Sequence, residues 1–368
     1  MRPAPAGHAP TCGKKHRTAC GEKEPAISVL LPARNAAATL PAALRSLLEQ
    51  TPAPGCPLPD FEIIVVDDGS TDQTALLLQS LCVQAAQKNI PLRCLHLPPS
   101  GLAPALNAGL SLARGALIAR MDADDTAHPH RLALQAAHLA AKPDLCLSAS
   151  RVAFGGDPVR AGGFTRFVEW QNSFCRPHEL ARIRFRDTPV CHPSVMFRHE
   201  AAKQWGAYRH GDFPEDWELW LRWLDRGARM EKLPQTLLVW NDSPRRATRA
   251  DSRYSRQACD RLRAFWLARH LQKNNPFHPQ VWVLGAGRVA RARLRPLWEY
   301  GPQPAAFIDI DPKKIGNRVE DVPVRGRADL PPPGKGFLLN ALTAHGAAEE
   351  AACWLEQAGY QDRDWLPA

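Results

Sequence analysis

The sequence predicts an α/β fold in which a doubly wound, largely parallel sheet precedes a second, smaller α/β unit. Apolar runs of strand length alternate with helical patterns through the first third of the chain, which is the order that makes strands parallel. These runs end in polar residues, as strands that line a ligand site do. After residue 279, a new strand leads into a glycine-rich turn, which indicates the second unit.

The first two predicted strands each end in a polar turn. One begins at Ile27 and ends in the turn Pro32–Asn35, and leucines at one-face spacing predict a helix after it. The other stops at Asp67 and Asp68. Residues 70–72 then offer N-cap oxygens to a second helix.

The fourth predicted strand ends in three carboxylates within four residues, Asp122, Asp124 and Asp125. It follows a third strand, Leu92–Leu97, and a helix around Leu106. Carboxylates this close repel one another unless a cation lies between them. If the strand geometry continues, Asp122 and Asp124 point to the same side and form a clamp for a hard divalent ion. The alternative is an acidic loop that caps the next helix.

Ligands of doubly wound sheets bind beyond the carboxyl ends of the strands. The polar residues at the ends of three predicted strands are therefore expected to form one site. These residues are Arg34, Asn35, Asp67, Asp68, Asp122 and Asp124.

A second acidic pair, Glu215 and Asp216, opens a predicted helix in which Trp217–Trp223 has helical spacing. The helix dipole favours acids in a first turn, so the pair needs no function. A carboxylate here can also act as a general base that takes a proton from a hydroxyl group. His192 precedes a predicted strand, Ser194–Phe197, and is compatible with a structural role or a role in the site.

Five blocks, taken together and in order, resemble the family 2 glycosyltransferases with the GT-A fold. This resemblance implies that the doubly wound sheet is mixed. The resemblance covers roughly residues 25 to 245. The blocks are Val29–Asn35, Val66–Asp72, Leu106–Gly109, Met121–Asp125 with Pro129, Arg131 and Leu132, and Pro214–Arg222.

The resemblance implies an inverting transfer of a sugar from a UDP- or GDP-sugar to a hydroxyl of a glycan or lipid-linked acceptor, in cell-surface polysaccharide or glycoconjugate synthesis. It also implies Mg²⁺ or Mn²⁺. By position, Asp124 would be the direct metal ligand, and Asp122 would bind sugar hydroxyls or metal-bound water. Asp216 would take the acceptor proton, and only the motif favours it over Glu215.

On the donor side, the resemblance implies that Pro32–Asn35 lines the nucleotide pocket. Asp68 would accept a hydrogen bond from the base, with Asp67 nearby. Arg34 stands where many relatives carry an aromatic residue, and a guanidinium can stack on a base in its place.

On the acceptor side, His192 would touch the donor phosphates or the acceptor. Trp217 adjoins the acidic pair and is the tryptophan most suited to contact a sugar, whereas the others are expected in the core. The loop Ser100–Pro104 lacks the arginine that some relatives place near the pyrophosphate, so Arg120 and Arg131 become candidates for that role.

After residue 240 the chain is rich in arginine, with Phe265 and Trp266 interleaved. A solvated helical face is one interpretation. The other is a peripheral contact with anionic lipid at the inner face of the membrane, next to a lipid-linked acceptor. The arginines are Arg245, Arg246, Arg249, Arg253, Arg256, Arg261, Arg263 and Arg269.

The C-terminal unit carries the pattern of a Rossmann-like module. Gly285 and Gly287 follow a strand, and Asp309 ends the next strand 24 residues after Gly285, the spacing of a dinucleotide site. The module resembles those appended to sugar-modifying transferases, where it holds a nucleotide or serves as a scaffold. Only about 90 residues remain, too few for a complete dehydrogenase.

Composition bounds the remaining classes. The 368 residues carry a net charge of +10, which suits phosphorylated donors, and no nucleic-acid-binding motif accompanies it. No apolar run reaches membrane-span length and no secretory signal is evident, so a cytoplasmic protein with ten reduced cysteines is expected. The predicted organisation is a disordered basic tail (1–24), a GT-A unit (25–245), a basic helical connector (246–278) and a Rossmann-like unit (279–368).

Two other function classes fit part of this pattern. A sugar-phosphate nucleotidyltransferase needs a glycine-rich loop after its first strand, and Pro32–Asn35 contains no glycine. A non-catalytic nucleotide-sugar or NAD-binding regulatory protein on the same scaffold is expected to lose Asp124 or Asp216, and both are present.

Overall fold

The computed structural model describes residues 24–242, 251–344 and 346–368. The tail predicted for residues 1–24, apart from its last residue, lies outside these ranges, as do Arg245, Arg246 and Arg249 of the basic segment. Within the described ranges, the chain forms a sheet of eight strands and a second sheet of six.

The first sheet and its helices occupy residues 27–240. Its strands are β1 (Ile27–Ala33), β2 (Phe61–Asp68), β3 (Leu92–Leu97), β4 (Leu117–Arg120), β5 (Thr126–Ala127), β6 (Leu147–Phe154), β7 (Met196–Arg198) and β8 (Met230–Trp240). Its helices are α1 (Leu40–Leu48), α2 (Thr74–Gln87), α3 (Leu102–Leu112), α4 (Arg131–Ala141), α5 (Gly162–Ser173), α6 (Pro177–Ile183), α7 (His199–Trp205) and α8 (Glu215–Asp225). The strand order in space is β3-β2-β1-β4-β7-β6-β8-β5.

The parallel half of this sheet is covered on both faces, which confirms the doubly wound prediction. Every residue of β1 is buried, as expected for a strand with helices on both sides. Leu31 packs in the same core cluster as Leu44 of α1. Leu30 points to the other face and packs in the cluster that contains Leu106 of α3.

Helix α3 lies so close to β1 that its Gly109 cannot be exchanged without movement. A Cβ atom built at Gly109 would lie 2.0 Å from Cδ1 of Leu30 and 3.1 Å from Cγ2 of Val66. The glycine of the Leu106–Gly109 block therefore sets the distance between helix and sheet. That distance places the N-terminus of α3 beside the end of β2.

The other half of the sheet introduces antiparallel pairing, so the sheet is mixed. Strand β7 pairs antiparallel with both β4 and β6, and β5 pairs antiparallel with β8. The strand predicted at Ser194–Phe197 is displaced. His192–Ser194 forms a 3-10 turn with a proline in its first positions, and the strand begins at Met196.

The second sheet lies in the C-terminal region, as predicted. Its strands are β9 (Gln280–Leu284), β10 (Gln303–Ile308), β11 (Arg318–Val319), β12 (Val322–Arg325), β13 (Leu338–Asn340) and β14 (Trp365–Pro367), in the order β11-β12-β10-β9-β13-β14. Its helices are α10 (Arg288–Trp298) and α11 (Ala347–Gln357), and α9 (Arg256–Asn274) connects the two sheets. Short 3-10 turns are formed by Ser252–Tyr254 and Arg327–Asp329.

Helix α9 is not simply a solvated basic face. Arg263 is 3% exposed and pairs with Asp260 at 2.5 Å, and Trp266 is buried in the core that α9 shares with the second sheet. Arg256, Arg261 and Arg269 remain exposed. The arginine spacing alone could not distinguish these roles, because a buried arginine needs a partner that only the fold supplies.

The C-terminal region also contacts α6 and the loop that follows it. The Arg182 guanidinium lies 3.8 Å from the ring centroid of Trp365, and Arg186 Nη1 lies 2.6 Å from Glu349 Oε1. Among the described residues, no helix is both long and apolar enough to cross a bilayer.

Candidate active site

The three carboxylates after β4 converge in a turn. One carboxylate oxygen from each of Asp122, Asp124 and Asp125 lies within 4.8 Å of the others. The strand geometry assumed from sequence does not continue, because β4 ends at Arg120. The turn therefore adds Asp125, which was not among the predicted ligands.

Asp125 is the buried member of this group, at 1% exposure. Its Oδ1 accepts a hydrogen bond of 3.0 Å from the Asn241 backbone N–H, and its Oδ2 has no hydrogen-bond partner among the described residues. Burial, followed by the charges of Asp122 and Asp124, raises the pKa of Asp125 well above its ordinary value. A cation among these oxygens would remove that penalty.

The two arginines near this turn differ in role. Arg120 is 2% exposed, lines the cavity described below, and holds Asp122 Oδ1 at 2.6 Å through Nη2. Arg131 is fully buried. It donates to the Arg120 carbonyl at 2.6 Å and to Gln135 Oε1 at 3.0 Å. Arg131 therefore supports the end of β4, and it is not in the cavity lining.

At the end of β2, Asp68 holds the loop before α3. Its Oδ1 accepts from Ser100 N at 2.7 Å and Ser100 Oγ at 2.8 Å, and its Oδ2 accepts from Gly101 N at 2.9 Å. Arg34 lies 3.7 Å from Asp68 and is about half exposed. Ser100 was not singled out from sequence, because only the fold brings it to Asp68.

The turns after β1 and β2 interlock. Asn35 adopts a positive φ of 51°, and its Oδ1 accepts from Thr71 N at 2.8 Å. Asp67 accepts from Ser70 N at 3.1 Å, and His96 Nδ1 lies 3.1 Å from its other oxygen. Pro32 belongs to β1 and is buried. The predicted donor-side residues thus lie together at the carboxyl ends of β1 and β2.

A cavity of about 590 Å³ joins the acidic turn to the first turn of α8. Asp124 and Asp216, from the two acidic clusters, both line it. Phe164 and Phe167 of α5, with Trp240 at the end of β8, form an aromatic side that the sequence did not reveal. The cavity therefore combines charged groups with an apolar wall.

Asp216 combines cavity access with an environment that favours its protonated form. Its Oδ1 accepts from Trp217 N at 2.7 Å. Burial, and then the neighbouring Glu215, raise the pKa of Asp216 to about 7. Such a pKa suits a group that accepts a proton near neutral pH.

Glu215 is the more enclosed acid, at 2% exposure. The Tyr254 hydroxyl lies 2.8 Å from its Oε1 and 2.7 Å from its Oε2, and donates to this carboxylate. Burial is the main cause that raises the pKa of Glu215. Sequence reasoning missed Tyr254, because no local pattern links it to an acid 39 residues earlier.

His192 and Trp217 line the cavity but are also built into the structure. His192 Nε2 is hydrogen-bonded to the Tyr208 hydroxyl at 2.8 Å. Burial, and then the charge of Arg120, lower the pKa of His192 well below its ordinary value. Trp217 is 4% exposed, and its Nε1 donates to the Arg184 carbonyl at 2.9 Å.

The C-terminal glycine pattern also has an ordered geometry. Gly285 has a φ of 107°, and Gly287 precedes α10. Asp309 Oδ2 accepts from Ala286 N at 3.1 Å and from Lys314 Nζ at 3.0 Å. The predicted acid is thus beside the glycine turn, where it is hydrogen-bonded by the protein itself.

The comparison with known families decides the classification. The model of "Glycosyl transferase family 2" matches residues 28–206. The amylovoran biosynthesis glycosyltransferase AmsE of Erwinia amylovora is 31% identical over 196 residues, which is 53% of this chain and 67% of AmsE. The chain belongs to glycosyltransferase family 2.

The chain is also similar to a second glycosyltransferase and to a solved structure. The PGL/p-HBAD biosynthesis glycosyltransferase of Mycobacterium tuberculosis (strain ATCC 25177 / H37Ra) is 29% identical over 175 residues, 47% of this chain and 59% of the relative. Residues 1–349 of S. aureus TarS, solved in complex with UDP-GlcNAc, superpose with a TM-score of 0.50 at 17% identity. The match covers 74% of this chain and 80% of TarS 1–349. This likeness supports the GT-A fold.

The family 2 model matches only part of the candidate site. It includes the turns after β1 and β2 and the acidic turn after β4, and it ends at residue 206. Glu215, Asp216 and Tyr254 lie beyond it. Their roles therefore depend on the geometry of the cavity.

Proposed function

We propose that this glycosyltransferase is an inverting, divalent-metal-dependent enzyme. It moves a sugar from a UDP- or GDP-sugar to a hydroxyl acceptor in the synthesis of a cell-surface polysaccharide or glycoconjugate. The observation that carries the proposal is the single cavity lined by both Asp124 and Asp216. The name of AmsE, a polysaccharide biosynthesis enzyme, supports the acceptor class.

The acidic turn fits a hard divalent ion. Three carboxylates offer oxygen ligands within 4.8 Å of one another, and in the described parts of the chain no group donates a hydrogen bond to the buried Asp125 Oδ2. Asp124 and Asp122, which line the cavity, would hold Mg²⁺ or Mn²⁺. Such an ion, when bound, neutralises the charge that develops on the departing diphosphate. Arg120 keeps Asp122 in place through its ion pair.

The donor nucleotide is assigned to the carboxyl ends of β1 and β2 and the turns that follow them. Pro32, Arg34 and Asn35 supply the turn, with Arg34 half exposed and available to stack on a base. Asp68 is hydrogen-bonded to Ser100 and Gly101, so it orders the loop before α3. We assign Asp68, together with Asp67, to recognition of the base.

Asp216 is assigned as the general base. An acceptor hydroxyl is a weak nucleophile until its proton is taken, and a carboxylate with a pKa of about 7 takes it near neutral pH. The O–H bond of the acceptor breaks as its oxygen bonds to the anomeric carbon. The nucleoside diphosphate leaves from the opposite side, and the transfer inverts that carbon. Glu215, His192 and Trp217 shape the acceptor side of the cavity.

The exposed part of α9 is assigned to contact with anionic lipid. Arg256, Arg261 and Arg269 are exposed, and Phe265, which lies four residues from both Arg261 and Arg269 on the same face of the helix, is 41% exposed. Such a contact would place the cavity near a lipid-linked acceptor. Co-sedimentation with anionic and with neutral vesicles tests it, and equal sedimentation would reject it.

A thermal-shift screen tests the donor assignment. UDP, GDP and their sugars would be added with and without Mn²⁺, and NAD(P) would be the control. We expect stabilisation by one nucleotide class that depends on Mn²⁺. Stabilisation by NAD(P) alone, without metal, would instead assign ligand binding to Gly285, Gly287 and Asp309.

A further inference from the structure

Tyr254, which lies outside the residues matched by the family model, is hydrogen-bonded to Glu215, one of the two acids that open α8. The 3-10 turn Ser252–Tyr254 brings the Tyr254 hydroxyl within 2.8 Å of both carboxylate oxygens of Glu215. An ion pair of 2.5 Å between Asp251 and Arg253 holds this turn together. Tyr254, Glu215 and Asp216 all line the cavity.

We propose that Tyr254 is a positioning residue for the transfer reaction. Its hydroxyl fixes Glu215 as the hydrogen-bonded carboxylate and leaves Asp216 as the acid that takes the acceptor proton. The inference rests on the proposed function of Asp216. It explains how two adjacent acids in one helical turn acquire different roles.

Several charged or titratable groups face Glu215 and Asp216. Among the described residues of other elements, Tyr254 is the one whose side chain donates a hydrogen bond to Glu215. Burial raises the pKa of Glu215. The Tyr254 hydrogen bond opposes this rise, and the charges of Arg120 of β4 and Arg253 oppose it to a smaller extent. Arg120 also lowers the pKa of Asp216. The facing groups are Arg120, Tyr208, Arg253, Tyr254 and Cys259.

The hydroxyl acts on Asp216 through Glu215. A hydrogen bond donated to a carboxylate stabilises its charged form, so Tyr254 opposes the effect of burial on Glu215. The charged Glu215 is, after burial, the largest cause that raises the pKa of Asp216. In this arrangement Glu215 holds the first negative charge of the pair, because the Tyr254 hydroxyl donates to it, and Asp216 gives up its proton at the higher pH.

Removal of the hydroxyl should reverse that order. In Tyr254→Phe, Glu215 keeps its proton to higher pH and no longer repels the charge on Asp216. The pKa of Asp216 then falls, and the acid limb of the pH–rate profile moves down by about one unit. A less basic Asp216 is also a weaker acceptor, so kcat near pH 8 should fall roughly three- to tenfold.

The experiment measures nucleoside diphosphate released by hydrolysis of the nucleotide sugar that gives the largest Mn²⁺-dependent thermal shift. Wild type, Tyr254→Phe, Glu215→Gln and the double variant would be compared from about pH 5.5 to about pH 9. Tyr300→Phe, at a tyrosine that is 47% exposed on the second unit, is the matched control. Melting temperature and nucleotide affinity confirm that each variant is folded.

We expect Tyr254→Phe and Glu215→Gln each to lower the acid limb, with no further shift in the double variant, because both act through one charge. The KM for the nucleotide sugar should remain unchanged. A Tyr254→Phe profile with the wild-type limb, or additive shifts in the double variant, would overturn the inference. An Asp216→Asn enzyme that hydrolyses the donor at a near-normal rate would overturn the assignment of Asp216 as the base, and this inference with it.

Discussion

The side-chain amide of Asn241 donates a hydrogen bond of 2.8 Å to the backbone carbonyl of Asp124. The Asn241 backbone N–H also donates to Asp125 Oδ1 at 3.0 Å. Asn241 directly follows β8, whereas the acidic turn follows β4. The residue after β8 thus holds the acidic turn after β4 in place.

Asn241→Ala should weaken the metal-dependent binding of a nucleoside diphosphate by about tenfold or more. The substitution removes the amide that holds the Asp124 backbone, and groups that orient metal ligands typically contribute this much to affinity. Titration calorimetry with UDP or GDP and Mn²⁺ measures the change. Asn317→Ala, at an exposed asparagine of the second unit, is the control. Equal affinities in the two variants would refute the role of Asn241.

Asp124→Ala should abolish the stabilisation that Mn²⁺ and a nucleoside diphosphate give together. Loss of one of three converging carboxylates removes a direct oxygen ligand. Glu169→Ala removes a carboxylate of equal charge from the exposed face of α5 and should behave as wild type. The role of Asp124 would be wrong if calorimetry with Mn²⁺ gave an unchanged affinity.

Asp216→Asn should reduce transfer by a factor of roughly 10² to 10⁴ while donor binding stays nearly intact. The amide has a similar shape but cannot accept the acceptor proton. Nucleoside diphosphate release and calorimetric donor affinity measure the two properties separately. A near-normal rate would show that another group is the base.

The rate of the wild-type enzyme should fall as the pH drops through about 7. The pKa of Asp216 is raised to about 7 by burial and by Glu215, and only the deprotonated form, present above that pH, accepts a proton. The pH dependence of kcat/KM reports this group in the free enzyme. A constant rate down to about pH 5 would contradict the assignment.

Gly109→Ala should lower the free energy of unfolding by about 1–3 kcal/mol. The new Cβ would lie 2.0 Å from Leu30 Cδ1, so α3 or Leu30 must move. Gly163→Ala, in α5 with no atom within 4 Å of the new Cβ, is the matched control and should cause no such loss. Urea denaturation followed by circular dichroism compares them. Equal stabilities would show that the helix moves away at little cost.

The first four strands could be predicted because their signals are local. Buried apolar runs, turn residues and terminal carboxylates all lie within one short segment, and β3 agrees with its predicted bounds, Leu92–Leu97. The displaced strand at Ser194–Phe197 shows the limit. Pro193 favours a 3-10 turn there, and the apolar pattern does not show where backbone pairing begins.

The cavity could be predicted only in part. Asp124 and Asp216 were found because each stands in a recognisable local pattern. Tyr254 and Asn241 act by contact across 39 and 117 residues, which no spacing rule reports. Arg131 was a phosphate candidate, but its guanidinium is buried among backbone carbonyls instead. Burial and partner identity depend on tertiary packing.

The turn that carries Tyr254 changes how this enzyme could be recombined with its relatives. A chimera joined at residue 245, the boundary suggested by the sequence, would exchange the tyrosine on Glu215 for a foreign residue. A chimera made to change donor specificity should therefore take the chain from β1 through α9 from one parent, with the junction placed after Asn274.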